Sequence, residues 1–125
     1  MKKIIYLSGK MTGMPDFNYP AFNEAADNLR ARGHTVMNPA ENPVPACGSW
    51  EGYMRNAIAQ VVQADTIVLL PGWAESRGAV VEYALARTLK IAVSHYQPDH
   101  PAGMHAMEDD ERLVVQRWVG MVEAA

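Results

Sequence analysis

Thr66-Ile67-Val68-Leu69-Leu70-Pro71-Gly72-Trp73-Ala74-Glu75-Ser76-Arg77-Gly78-Ala79-Val80-Val81-Glu82 is the stretch that decides the fold class. Its first five residues have the β-branched, apolar character of a central strand, and Pro71-Gly72 ends it. Ser76 is placed to cap a helix over residues 77–89, with Val81, Ala84, Leu85 and Thr88 expected to face a sheet. A strand that leads directly into a helix is the unit of a parallel α/β sheet.

The rest of the chain repeats that alternation. Residues 3–8 form a short apolar run closed by Gly9, as expected of a strand buried on both faces. A helix starts near Pro20, a residue suited to a first turn. Phe22, Ala25, Ala26 and Leu29 give it one apolar face, and Gly33 ends it. Residues 34–37 are a brief second strand stopped by Asn38-Pro39. Pro43, Pro45 and Gly48 make residues 40–49 a loop, on the ligand side or acting as a flexible cover.

Helical spacing returns over residues 50–64 at Met54, Ala57, Ile58, Val61 and Val62, with Trp50 and Tyr53 expected to anchor that helix. A fourth strand is expected at 91–94, then a loop rich in Pro, His and Gly, then a closing helix at 109–123 carrying Val114, Trp118, Met121 and Val122. The expectation is a single α/β domain, residues 1–125, with a four- or five-stranded parallel sheet in the order 2-1-3-4 between two helical layers. This is a Rossmann/flavodoxin-like three-layer sandwich. In such sheets ligands bind beyond the carboxyl ends of the strands where the winding reverses, here between strands one and three. Two loops are thereby singled out, residues 9–16 and 71–76.

Bulk properties narrow the function classes. The chain has 125 residues, 49% of them apolar, enough for one sizeable core. Its net charge of -3, with no basic stripe, argues against a nucleic-acid polymer as partner. Cys47 is the only cysteine, so a reducing, cytoplasmic setting is the expectation. The apolar run after Met1-Lys2-Lys3 ends at Ser8-Gly9, too short for a signal-peptide core, and no run is long enough to span a bilayer.

The chemistry-bearing residues cluster after strand three. The N–H groups of Arg77, Gly78 and Ala79 open a helix and favour an anion, with the Ser76 hydroxyl beside them. Glu82 shares a helix face with small Ala79 and Ala86, which leaves room for a ligand, and Tyr6 is a candidate donor to its carboxylate. The competing reading makes Glu82 a solvated side chain paired with Arg87 or Arg55. His95, His100 and His105 recur at intervals of five but match no standard metal spacing, so no metal and no cofactor are expected.

The segments Ile5-Tyr6-Leu7-Ser8-Gly9-Lys10-Met11-Thr12-Gly13 and Ser76-Arg77-Gly78-Ala79-Val80-Val81-Glu82 resemble the nucleoside 2-deoxyribosyltransferase superfamily. That superfamily includes the deoxynucleoside 5′-monophosphate N-glycosidases. The resemblance runs over roughly residues 3–90 and is nearest to short, often phage-borne members with Leu-Pro-Gly-Trp before Ser-Arg-Gly-Ala.

It implies Glu82 as the nucleophile at the anomeric carbon and Tyr6 as the residue orienting it. Ser8, Gly9, Lys10 and Met11 match the loop over sugar and base, and Ser76, Arg77 and Gly78 match the phosphate end. Gly72 and Trp73 border the site, Trp73 either stacking on a base or packing its loop. A small-molecule nucleoside or nucleotide is the implied partner, and a homodimer or higher homo-oligomer the implied assembly. One departure stands out: counting back eight residues from Asp65, where the superfamily carries an aspartate, this chain has Ala57. Asn56 points about 100° away around the helix. Asp65 itself is expected to be structural. The alternative is therefore a catalytically impaired nucleotide-binding module of the same fold.

Overall fold

A computed structural model describes residues 2–107. The chain runs β1 (Ile4–Ser8), α1 (Tyr19–Ala31), β2 (Thr35–Met37), α2 (Trp50–Val61), β3 (Thr66–Leu69), α3 (Arg77–Thr88), β4 (Ala92–Tyr96) and β5 (Met104–Ala106). The strands form one sheet in the order β2-β1-β3-β4-β5. β1, β2, β3 and β4 pair in parallel, whereas β5 runs antiparallel to β4, with His95 opposite His105. The expected order thus holds for the first four strands, and a fifth is added from the segment read as loop. Met104-His105-Ala106 has no alternation to announce it; the reversal is made by Gly103, at φ 76°, and by the bond from Gln97 N–H to the Gly103 carbonyl. The expected helix at 109–123 lies outside the described residues.

Alternation along β1 sorts the two helical layers. Ile5 and Leu7 face α1, packing with Phe22, Ala25, Ala26 and Leu29, all buried as the helical spacing requires. Tyr6 faces the other way, into a core shared with Ala57 and Val61 of α2 and Val80 and Tyr83 of α3. Ser8, two residues on, takes the Tyr6 side. The winding therefore reverses between β1 and β3, above whose carboxyl ends the loops open.

On α3 the expected sheet face is corrected. Val81 and Leu85 are only half-buried and Thr88 is exposed, whereas Ala79, Val80, Glu82, Tyr83, Ala84 and Ala86 are buried. A charged residue on the inner face displaced the apolar count: Glu82 is inside because β1 supplies partners for it. Asp65 closes the other end of the sheet, its carboxylate accepting from Ile4 N–H at 2.8 Å and its own N–H donating to the Ile4 carbonyl.

Gly9, directly after β1, packs tightly against its neighbours. A methyl group there would lie 3.0 Å from Leu70 Cβ and 3.3 Å from the Phe22 ring. Gly9→Ala is expected to destabilise the fold by about 1–3 kcal/mol through overpacking, read as a lower urea midpoint with unchanged slope.

Candidate active site

Glu82 sits in the second turn of α3 and is only 5% exposed. Its two carboxylate oxygens have one hydroxyl each. Ser8 Oγ donates to Oε1 at 2.6 Å and Tyr6 Oη donates to Oε2 at 2.7 Å. Burial pushes the Glu82 carboxyl up to about 7, the Ser8 and Tyr6 hydrogen bonds pulling in the opposite direction. Burial likewise raises the Tyr6 phenol well above its ordinary value, and the adjacent carboxylate raises it further. Tyr6→Phe removes one donor, so the Glu82 midpoint is expected to rise by about one pH unit or more. Carboxyl-resolved NMR titration reads that shift directly.

Beside this carboxyl lies a cavity of about 670 Å³. Its walls come from the loop after β1, the loop 39–49, the first half of α2 and the start of α3. Asn42 and Gln60 exchange a pair of 2.9 Å amide bonds that fasten the 39–49 loop to α2. Asn18 Nδ2 donates to the Lys10 carbonyl and ties the other loop back on itself. Asp16, Phe17 and Asn18 take positive φ angles of 50°, 52° and 60°, a left-handed turn that sets the Phe17 and Tyr19 rings 5.8 Å apart at the cavity lip.

Of the expected site residues, Tyr6, Gly9, Lys10, Met11, Ser76, Arg77, Gly78 and Glu82 line this one cavity. Ser8 does not line it; it is 1% exposed and acts from beneath, on the carboxylate. Gly72 and Trp73 are also absent from the wall. Gly72 turns the chain with φ 86°, and Trp73 packs in the core with its ring 5.1 Å from that of Tyr83, so the loop-packing reading of Trp73 is the one observed. The Ala79 N–H, expected to point at a ligand, instead donates to Ser76 Oγ as the helix cap. Arg77 and Gly78 carry the remaining first-turn N–H groups. Ala57 is buried and lines the cavity from α2, while Asn56 is exposed and does not.

The structure places Trp50 and Tyr53 elsewhere than expected. Trp50 and Tyr53, expected to anchor α2, stay 36% and 41% exposed on the cavity wall. The Arg77 guanidinium lies 4.2 Å from the centre of the Trp50 ring. Gly78 permits this approach of α2 and α3, since a methyl there would come 3.1 Å from Met54 Sδ. Two aromatics one helical turn apart, directly after a Pro- and Gly-containing loop, are the signal that could have assigned them to a wall. His95 and His105 pair across β4 and β5 with rings 5.2 Å apart, and among the described residues no group of three or more His, Cys, Asp or Glu is arranged to hold a metal. No helix among the described residues is long and apolar enough to cross a membrane.

The family described as a domain of unknown function, DUF4406, matches residues 3–95, which include every cavity residue named above. The chain belongs to the DUF4406 family. Among solved structures, this DUF4406 chain is similar to a 2-deoxyribosyltransferase from the psychrotolerant bacterium Bacillus psychrosaccharolyticus. The TM-score is 0.63 at 21% identity, over 91% of this chain and 81% of the other. That likeness establishes a shared fold. No curated protein sequence matches the DUF4406 chain.

Proposed function

We propose that this protein breaks the N-glycosidic bond of 2′-deoxynucleosides or their monophosphates through Glu82. The observation that carries this reading is the carboxyl itself: buried, held on both oxygens by Tyr6 and Ser8, and open to a cavity. A fixed, poorly solvated carboxylate is a suitable nucleophile for an anomeric carbon. Glu82 forms a bond to C1′ as the bond to the base nitrogen breaks, giving a glycosyl-enzyme. Water or a second base then displaces the ester from the opposite face, so configuration is retained. The Arg77 and Gly78 N–H groups at the start of α3, with the Ser76 hydroxyl, suit a 5′-phosphate. Fold-level likeness to a 2-deoxyribosyltransferase supports this choice of glycoside.

A second reading has its own observation. Ala57 contributes no carboxyl from α2, which favours a nucleotide-binding module without turnover. A panel of deoxynucleosides and deoxynucleotides, with free base followed by chromatography between pH 6 and 8, separates the two. Base release is expected. Saturable binding without release from any member assigns the module, and neither binding nor release removes both readings.

A further inference from the structure

Among the described residues, Glu82 has no countercharge. Both of its oxygens accept from neutral hydroxyls, and the ion pairs among the described residues, Lys10 with Glu75 and Arg30 with Glu41, do not include it. The other charged groups on the cavity wall among the described residues are engaged elsewhere: Lys10 and Glu75 lie 4.0 Å from each other, and Arg77 rests on Trp50. Among the described residues, Tyr6, Tyr19 and Tyr53 are the remaining titratable groups of the wall, and α2 presents Met54 and Ala57. A buried carboxylate is costly to ionise without a cation near it. The cavity is the side from which a cation can arrive.

The cavity wall is also suited to one. Phe17, Tyr19, Trp50 and Tyr53 line it, and aromatic faces attract cations, as Trp50 already does with Arg77. We infer that this site favours nucleosides whose base carries a positive charge, such as bases alkylated on a ring nitrogen, a substrate class that rests on the reaction proposed above.

The bond changes favour the same class. When Glu82 attacks C1′, the electron pair of the breaking C1′–N bond stays on the base. An uncharged base then leaves as an anion and must receive a proton. Among the described residues, the one other carboxyl on the cavity wall, Glu75, is largely exposed and paired with Lys10. A cationic base leaves as a neutral molecule and needs no proton. Before it leaves, its charge favours the ionised form of Glu82. In the second step a water oxygen takes the place of the ester oxygen on C1′, the carboxylate is restored, and one proton passes to solvent.

The probe pair is 1-methyl-2′-deoxyadenosine, a cation at neutral pH, and N6-methyl-2′-deoxyadenosine, which carries the same methyl without the charge. Calorimetry at pH 7.5 is expected to show the cation bound at least about tenfold more tightly. That preference should shrink at pH 5.5 in the wild type, and in Glu82→Gln it should fall at pH 7.5 to the smaller, pH-independent share that the aromatic wall supplies. The wild-type pH comparison stands by itself if the variant does not fold. Equal affinities at pH 7.5 overturn the inference whether or not base is released. A cation preference with no base release from either compound or from any member of the panel above supports the charge selectivity and removes the glycoside-cleaving reading instead. Release measured beside a protein-free control keeps spontaneous loss of base out of the comparison.

Discussion

Glu82→Gln is expected to lower base release by at least about 10³-fold while leaving the fold intact. The amide cannot form a glycosyl ester, so the loss falls on the chemical step. Its geometry is otherwise close to that of the carboxyl: the amide oxygen accepts from one hydroxyl, and the amide nitrogen donates to the other once that hydroxyl turns. Tyr6 and Ser8, both 1% exposed, therefore keep partners. Glu82→Ala is the harsher change, because two buried hydroxyls lose their acceptor at about 1–3 kcal/mol each. The pair separates a nucleophile from a structural bridge. A nucleophile gives an inactive, well-folded Gln variant; a bridge gives a Gln variant with most of its activity and an Ala variant that is merely unstable. Base release at wild-type rate in a folded Glu82→Gln protein would remove the mechanism.

How much of this was legible in the sequence depends on which force wrote each part. The parallel sheet was plain in residues 3–8 and 66–70, because strands buried on both faces are apolar runs with glycine or proline at their ends. The α1 core, Phe22, Ala25, Ala26 and Leu29, followed from spacing alone because that face obeys only hydrophobic burial. On α3 the same logic misplaced the face. There Glu82 is buried by two hydroxyls presented from β1, and a contact between residues so distant in the chain leaves no periodic mark. β5 was missed for a related reason: three residues closed by a turn at Gly103 carry too little pattern to count. The cavity wall was half legible. Winding reversal named the place, and Gly9, Lys10, Met11, Thr12, Glu75 and Ser76 of the two strand-to-helix loops line it, whereas Gly72 and Trp73 do not. Trp50, Tyr53, Phe17 and Tyr19 reach that place only through the path of the 39–49 loop and a left-handed turn at Asp16–Asn18 that no glycine announces.

Activity and stability are expected to move in opposite directions with pH, and both through one group. The Glu82 carboxyl ionises at about 7 in the folded protein, against 4.5 for an ordinary glutamate. Only the ionised form attacks C1′, so kcat/KM should rise about tenfold per unit below pH 7 and level off above it, about 10²-fold in all between pH 5 and pH 8. Stability runs the other way. Between 4.5 and 7 the folded chain holds a proton that the unfolded chain has released, so raising the pH favours unfolding. The stabilisation associated with the neutral carboxyl is complete below 4.5 and is lost as pH passes through 7, a change of about 3 kcal/mol. Measured against Glu82→Gln, whose amide does not titrate, the wild type should lose stability over that window and then run parallel to the variant. At pH 8 the inactive variant should therefore gain about 3 kcal/mol on the wild type relative to their difference at pH 4. Urea midpoints of the two proteins across pH 4 to 8, set beside the wild-type pH–rate profile, check both halves at once. A rate that falls with pH would mean that the neutral carboxyl is the working form, an acid donating its proton to the leaving base. A stability difference that stays flat would mean that Tyr6 and Ser8 hold the carboxylate well enough to offset its burial, and the raised ionisation would be gone.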